Sequence, residues 1–290
     1  MSIRGAASLL LLGALAMPLG AQALMERVKA SYDTWQGYLE QGDGAGVRKA
    51  TEPLLQREAQ AVSPADYNEM RALVALLDLQ ARACVVEGDW EQAIVFLQRA
   101  ADSAASNATA AETTFGRIRK EHDTKLAGWR EALTQQEAQL KELDARPGLT
   151  EDMMKRRSQI RLFLDEHRNA IAHSMWSIKE IEGILTRLRQ EKETYAASLA
   201  AWQGFLAREK QELTRTGSPA SYVSEKAAQI KTDDGLSRFD RIAYTRRLLR
   251  LSPEAAAREG LKGLLASLTG VVEHAKVPAK GKARKPHRKG

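Results

Sequence analysis

From Ile160 onward the apolar positions recur in alternating steps of four and three. The run reads Ile160, Leu164, His167, Ile171, Ser174, Ile178, Ile181, Leu185, Leu188, Lys192, Tyr195, Leu199, Trp202, Leu206, Glu209 and Leu213. The mean step is about 3.5 residues, the repeat of a left-handed coiled coil. Upstream, Leu97, Ala101, Ala104, Ala108, Ala111, Phe115, Ile118, His122, Leu126, Trp129, Leu133, Gln136, Leu140 and Leu143 also step by threes and fours. Between the runs lies Arg146-Pro147-Gly148-Leu149-Thr150. Pro147 and Gly148 make the turn, and Thr150 is an N-cap followed by Glu151 and Asp152.

So short a turn predicts two antiparallel neighbours. The first helix then covers residues 90–145, about 84 Å at roughly 1.5 Å per residue. Facing residues sum to about 296. This register sets His122 against Ser174 and Trp129 against His167. It also sets Ala101, Ala104, Ala108 and Ala111 against Tyr195, Lys192, Leu188 and Leu185, small against large. The competing reading makes 101–114 an Ala/Ser linker; the unbroken seam favours helix.

A two-helix hairpin buries little surface per residue, so other helices must cover its base. Met25, Val28, Tyr32, Trp35 and Leu39 carry a helical period. Three Ser-Pro pairs, Ser63-Pro64, Ser218-Pro219 and Ser252-Pro253, read as helix starts with Ser as N-cap and Pro in the first turn. Pro53 kinks or restarts a second helix, and a third runs from about Pro64 to Glu87. Further breaks fall at Gly42-Asp43-Gly44, Gly88-Asp89 and Asp233-Asp234-Gly235. Helices over 219–231, 237–251 and 253–275 pack at the base with the first three. Strand-like alternation is nearly absent. The fold class is all-α: a helical base and a long antiparallel coiled-coil hairpin.

Gly88-Asp89-Trp90-Glu91-Gln92-Ala93-Ile94-Val95-Phe96-Leu97-Gln98-Arg99-Ala100 resembles the second helix of a tetratricopeptide repeat. That family favours Gly-Asp-aromatic, then a small residue, a large one four later and a small one three after. Ala93, Leu97 and Ala100 fill those places, and Ala81 and Cys84 fill the packing positions of the preceding helix. The resemblance covers about residues 74–105 and implies a closely packed helix pair. No Pro closes the unit near Ala105, and no clear second copy follows.

Composition adds a compartment. Residues 1–23 read as a secretory signal peptide: Arg4, an apolar run from Ala6 to Ala16, the breakers Pro18 and Gly20, and a small-x-small cleavage site at Ala21-Gln22-Ala23. The apolar run is shorter than the roughly 20 residues a bilayer span needs. A mature chain starting near Leu24 is expected to be exported, periplasmic or extracellular. Cys84 is the one cysteine of the chain. It reads as a small buried side chain, with an intermolecular disulfide as the alternative.

Candidate chemistry is sparse. None of the five histidines stands in a metal-binding spacing. His122 and His167 fall on the seams and read as buried, hydrogen-bonded register residues. Asp165-Glu166 and Asp233-Asp234 are adjacent in sequence, which on a helix sends them apart and in a loop suits capping. No nucleophile or phosphate-loop motif occurs, so the reading is non-catalytic with no cofactor and no metal. Arg156-Arg157 and Arg246-Arg247 read as solvated helix faces. Trp35 and Trp176 read as core. Asn107-Ala108-Thr109 matches a glycosylation acceptor.

The chain carries 44 basic residues and 37 acids, a net charge of +7. Seven of the basic residues lie in the last fifteen positions: Lys276, Lys280, Lys282, Arg284, Lys285, Arg288 and Lys289. With Arg4 set aside as well, the rest of the chain is close to neutral. High charge and low hydrophobicity predict a disordered tail over 276–290. The tail suits an anionic surface of the cell envelope, or it is a solubilising tail without a partner. Export and the lack of a tail aromatic disfavour nucleic acid.

The organisation is therefore 1–23 signal, 24–87 helical segment, 88–215 hairpin turning at 146–150, 216–275 further helices and 276–290 tail. The expected function is an envelope scaffold or adaptor that presents the hairpin to a protein partner. The alternative is an anionic-surface binder acting through the tail. The hairpin seam also admits a homodimer.

Overall fold

The structure, a computed structural model, describes residues 23–57, 62–63 and 66–270. These residues form eight helices and no strand: α1 Ala23–Glu40, α2 Gly44–Arg57, α3 Tyr67–Val86, α4 Trp90–Asp144, α5 Glu151–Arg215, α6 Pro219–Thr232, α7 Arg238–Leu251 and α8 Ala255–Thr269. No helix among them is long and apolar enough to cross a membrane.

The first helices wrap α3. Gly42 takes a positive φ of 82° to leave α1, and Asp43 opens α2 by accepting from the Gly46 N–H at 2.8 Å. Helix α2 runs through Pro53 as one helix, so the chain does not restart there. Helix α3 starts at Tyr67; Pro64, the expected start, lies outside the described residues. Asp66 is its cap, accepting from the amides of Asn68 and Glu69 at 3.2 and 3.1 Å. A carboxylate that reaches two orphan amides outcompetes a serine hydroxyl three residues upstream. Ser63 offers its carbonyl to the Asp66 N–H instead. Nearly every residue of α3 is buried, as befits a helix packed on all sides by α1, α2, α4 and α7.

Gly88-Asp89 does two jobs in two residues. With φ at 73°, Gly88 donates to Val85 O while the Asp89 amide donates to Cys84 O, closing α3 in a left-handed cap. The Asp89 carboxylate then accepts from the Gln92 N–H and opens α4.

Helix α4 has 55 residues and α5 has 65, lengths of about 82 and 97 Å. Residues 101–114 are continuous helix, so the linker reading fails. Gly148, at φ 76°, turns the chain, and Thr150 accepts from the Met153 N–H at 3.3 Å. The register matches the turn-based expectation: His122 Nδ1 lies 3.1 Å from Ser174 Oγ. Near the base, Ala101 and Ala104 share a core with Tyr195, and Ala108 and Ala111 share one with Ile181, Ile184, Leu185 and Leu188. Cross-helix ion pairs flank the seam, among them Arg189–Glu112 at 2.7 Å, Arg119–Glu182 at 3.1 Å and Arg168–Glu137 at 2.9 Å. Exposed pairs contribute little stability each; their sign pattern fixes the pairing.

At the other end, α6 to α8 close the base. Ser218 caps α6 with Pro219 as its first residue, as expected. Ser237 and Asp240 form a reciprocal capping box on α7. Ser252 is not the start of α8. It ends α7, donating its N–H to Leu248 O, and Glu254 precedes α8 without a side-chain cap. Pro253 holds the residue before it extended, with ψ of Ser252 at 117°, which ends one helix without starting the next.

Candidate functional site

Two regions stand out, a buried junction in the base and the outer face of the projecting hairpin. At the junction, Ala81, Cys84, Trp90, Ala93, Leu97 and Ala100 are all buried where α3 packs on α4. Trp90 donates from Nε1 to Val85 O at 3.1 Å. Its ring meets Trp202, Phe205 and Tyr244 edge-on, with centroids 5.1–5.9 Å away. The Arg247 guanidinium carbon lies 5.1 Å from the Trp90 ring centre.

Arg247 is 5% exposed, which corrects the reading of Arg246-Arg247 as a solvated face. Its Nε and Nη2 donate to the Glu209 carboxylate at 3.1 and 2.6 Å. Both Nη atoms donate to Glu91 at 2.6 Å, and Nη1 also reaches Gly88 O at 3.4 Å. Burial opposes the charge of Arg247, but bonds from Glu91 and Glu209 override it and push its pKa up. The Glu91 carboxyl is held below its ordinary range by the Arg247 bond. A guanidinium saturated in this way is a clamp between α4, α5 and α7, with nothing left to offer a ligand. Glu209, an acidic residue on the α5 seam, was the one hint in the sequence that a buried cation would meet it.

Other features place candidate chemistry differently. A cavity of about 370 Å³ lies among α2, α3 and α4, with Leu55, Leu73, Leu77 and Phe96 beside Arg48 and Arg99. Arg48 pairs with Glu87 at 3.1 Å, and Arg99 sits over the Phe96 ring at 5.8 Å. Burial pushes the Cys84 thiol up to about 11, so it is a packing group at physiological pH. Asn107 is 1% exposed and donates to Tyr67 O, so the acceptor amide of the sequon lies inside the fold. No group of three or more His, Cys, Asp or Glu side chains among the described residues could hold a metal ion. His122 and His167 are half-buried rather than buried, because a two-helix seam leaves its flanks open.

On the hairpin, Pro147 and Gly148 form the free end. Toward that end the core is built from α4 and α5 alone, around Leu143, Ile160 and Leu164. Trp35 is core at 6% exposure, whereas Trp176 is 54% exposed, which corrects the reading of both as core. Met154, Leu162 and Met175 are at least half exposed as well. Trp176 stacks on His173, centroids 6.1 Å apart. The seven basic tail positions lie outside the described residues. No protein-family model, curated protein or solved structure matches this chain.

Proposed function

We propose that this chain is a non-catalytic scaffold or adaptor, exported to the cell envelope, that holds its α4–α5 hairpin out toward a protein partner. The observation that carries the reading is where the apolar surface lies. Six large hydrophobic side chains among the described residues are exposed, and four of them, Met154, Leu162, Met175 and Trp176, sit on α5 in the half of the hairpin nearer its turn. Exposed apolar groups gathered on a projecting element mark interaction surfaces more often than scattered ones do. The tetratricopeptide-like sequence of 74–105 fits a base that serves as a platform.

A second reading rests on the seven basic residues of 276–290, which suit an anionic envelope surface. One experiment separates the two: co-sedimentation of residues 24–290 and 24–275 with envelope fractions across a salt titration. The adaptor reading expects both chains to sediment alike and to resist salt. Sedimentation of the longer chain alone, released by salt, would assign recognition to the tail.

A further inference from the structure

The outer face of α5 has a symmetry of its own. Leu162 and Trp176, at 61% and 54% exposure, are fourteen residues apart, two heptads along the same face, with Asn169 midway. Asp165, Glu166, Asn169, Ala172 and His173 between them are all exposed. Neither α4 nor any helix of the base covers this stretch, because the seam through Leu164 and Ser174 points the other way.

We propose that this face is the contact between two copies of the chain, packed with their α5 helices antiparallel about a two-fold axis at Asn169. Such an axis sets each Leu162 against the Trp176 of the second copy, so both exposed side chains are covered by one operation. In an antiparallel pair each flank faces the same flank of its neighbour. Glu166 then meets the second copy's His173, a carboxylate beside a ring that can donate to it. On the other flank Asp165 meets Ala172, and Ser158 meets Lys179. Gln159 meets Glu180. No like charges face each other at any of these positions, whereas a parallel pairing would set Asp165 of each copy beside Glu166 of the other. The His173–Trp176 stack presents ring and imidazole as one surface. The apolar content is small, so the contact is expected to be reversible and dependent on concentration. It goes beyond the adaptor reading and covers Leu162 and Trp176, two of the four exposed side chains on which that reading rests.

The test uses the whole chain and its geometry. Cys84 is fully buried, so the parent chain supplies no reactive thiol. Asn169→Cys is expected to give a disulfide-linked dimer under mild oxidation, because residue 169 sits on the axis. Leu162→Cys alone is expected to give none, since its two copies lie about 21 Å apart, beyond disulfide reach. Mixing Leu162→Cys with Trp176→Cys is expected to link them. Sedimentation velocity of the parent should show self-association that Trp176→Ala weakens at least about tenfold. Self-linkage of Leu162→Cys as fast as that of Asn169→Cys would overturn the antiparallel contact. A parent that stays monomeric at every concentration would overturn self-contact altogether, while leaving envelope co-sedimentation, and so the adaptor reading, intact.

Discussion

A β-carbon placed on Gly88 would lie 2.5 Å from the backbone nitrogen of Arg247. The turn between α3 and α4 is thus pressed against the backbone of α7, a segment 159 residues away in the chain. The glycine also sits at φ 73°, where other residues are strained. Gly88→Ala should therefore destabilise the chain by at least about 2 kcal/mol, through strain and overpacking together. Urea unfolding checks it, and an unchanged midpoint would show that α7 can move away without cost.

Removing one side of the clamp that Gly88 makes room for should cost more. Glu209→Ala leaves a buried guanidinium with its main partner gone, and a loss of about 3–5 kcal/mol is expected. Glu91→Ala should cost less, because that carboxylate is 55% exposed and screened. Thermal melts of both variants, with Arg247→Met combined with Glu209→Leu as the apolar replacement, order these effects. If the double variant is no more stable than Glu209→Ala, packing around Trp90 rather than charge pairing sets the cost.

Helix spacing in the sequence was enough to place the hairpin, its turn and its register, because a seam of about seven heptads leaves one consistent pairing. His122 and Ser174 meet where that pairing put them. Helix starts were harder to read: Asp66 rather than Ser63 caps α3, and Ser252 ends α7 rather than starting α8. The Arg247 clamp was hidden for another reason. Its carboxylates come from Glu91 and Glu209, and nothing in the spacing along the chain brings these three together. Trp176 was misread because a helix position just off the seam is covered only if a third helix lies there, and none does.

Asp78 should make the fold more stable in mild acid. It lies on α3 at 6% exposure, and burial pushes its carboxyl up from 3.8 against the opposing pull of Arg82. A raised folded pKa means that the folded state binds the proton more tightly. Its contribution is fully present below about 3.8 and is lost as pH rises through the folded value. Glu191, also raised by burial, acts in the same direction. Asp78→Asn removes the buried charge and should raise Tm by about 2 °C or more at pH 7, with little change near pH 4. A lower Tm at pH 7 would mean that Arg82 holds the carboxylate ionised after all.

The contact between His122 and Ser174 is a polar layer in the seam, with Ser174 only 2% exposed. It falls where the α4 seam takes two successive steps of four, Ile118 to His122 to Leu126. Such an insertion locally unwinds a coiled coil, and a side-chain hydrogen bond tolerates the altered spacing better than interlocked leucines do. Ser174→Ala should cost about 1 kcal/mol, the worth of the bond to a half-buried ring. His122→Leu with Ser174→Leu replaces the layer with apolar volume. If the polar pair is there to fit the irregular step, this double variant should gain less than about 1 kcal/mol over the parent in guanidinium unfolding. A gain well above that would show that ordinary leucine packing fits the step, so that the pair serves pairing specificity instead.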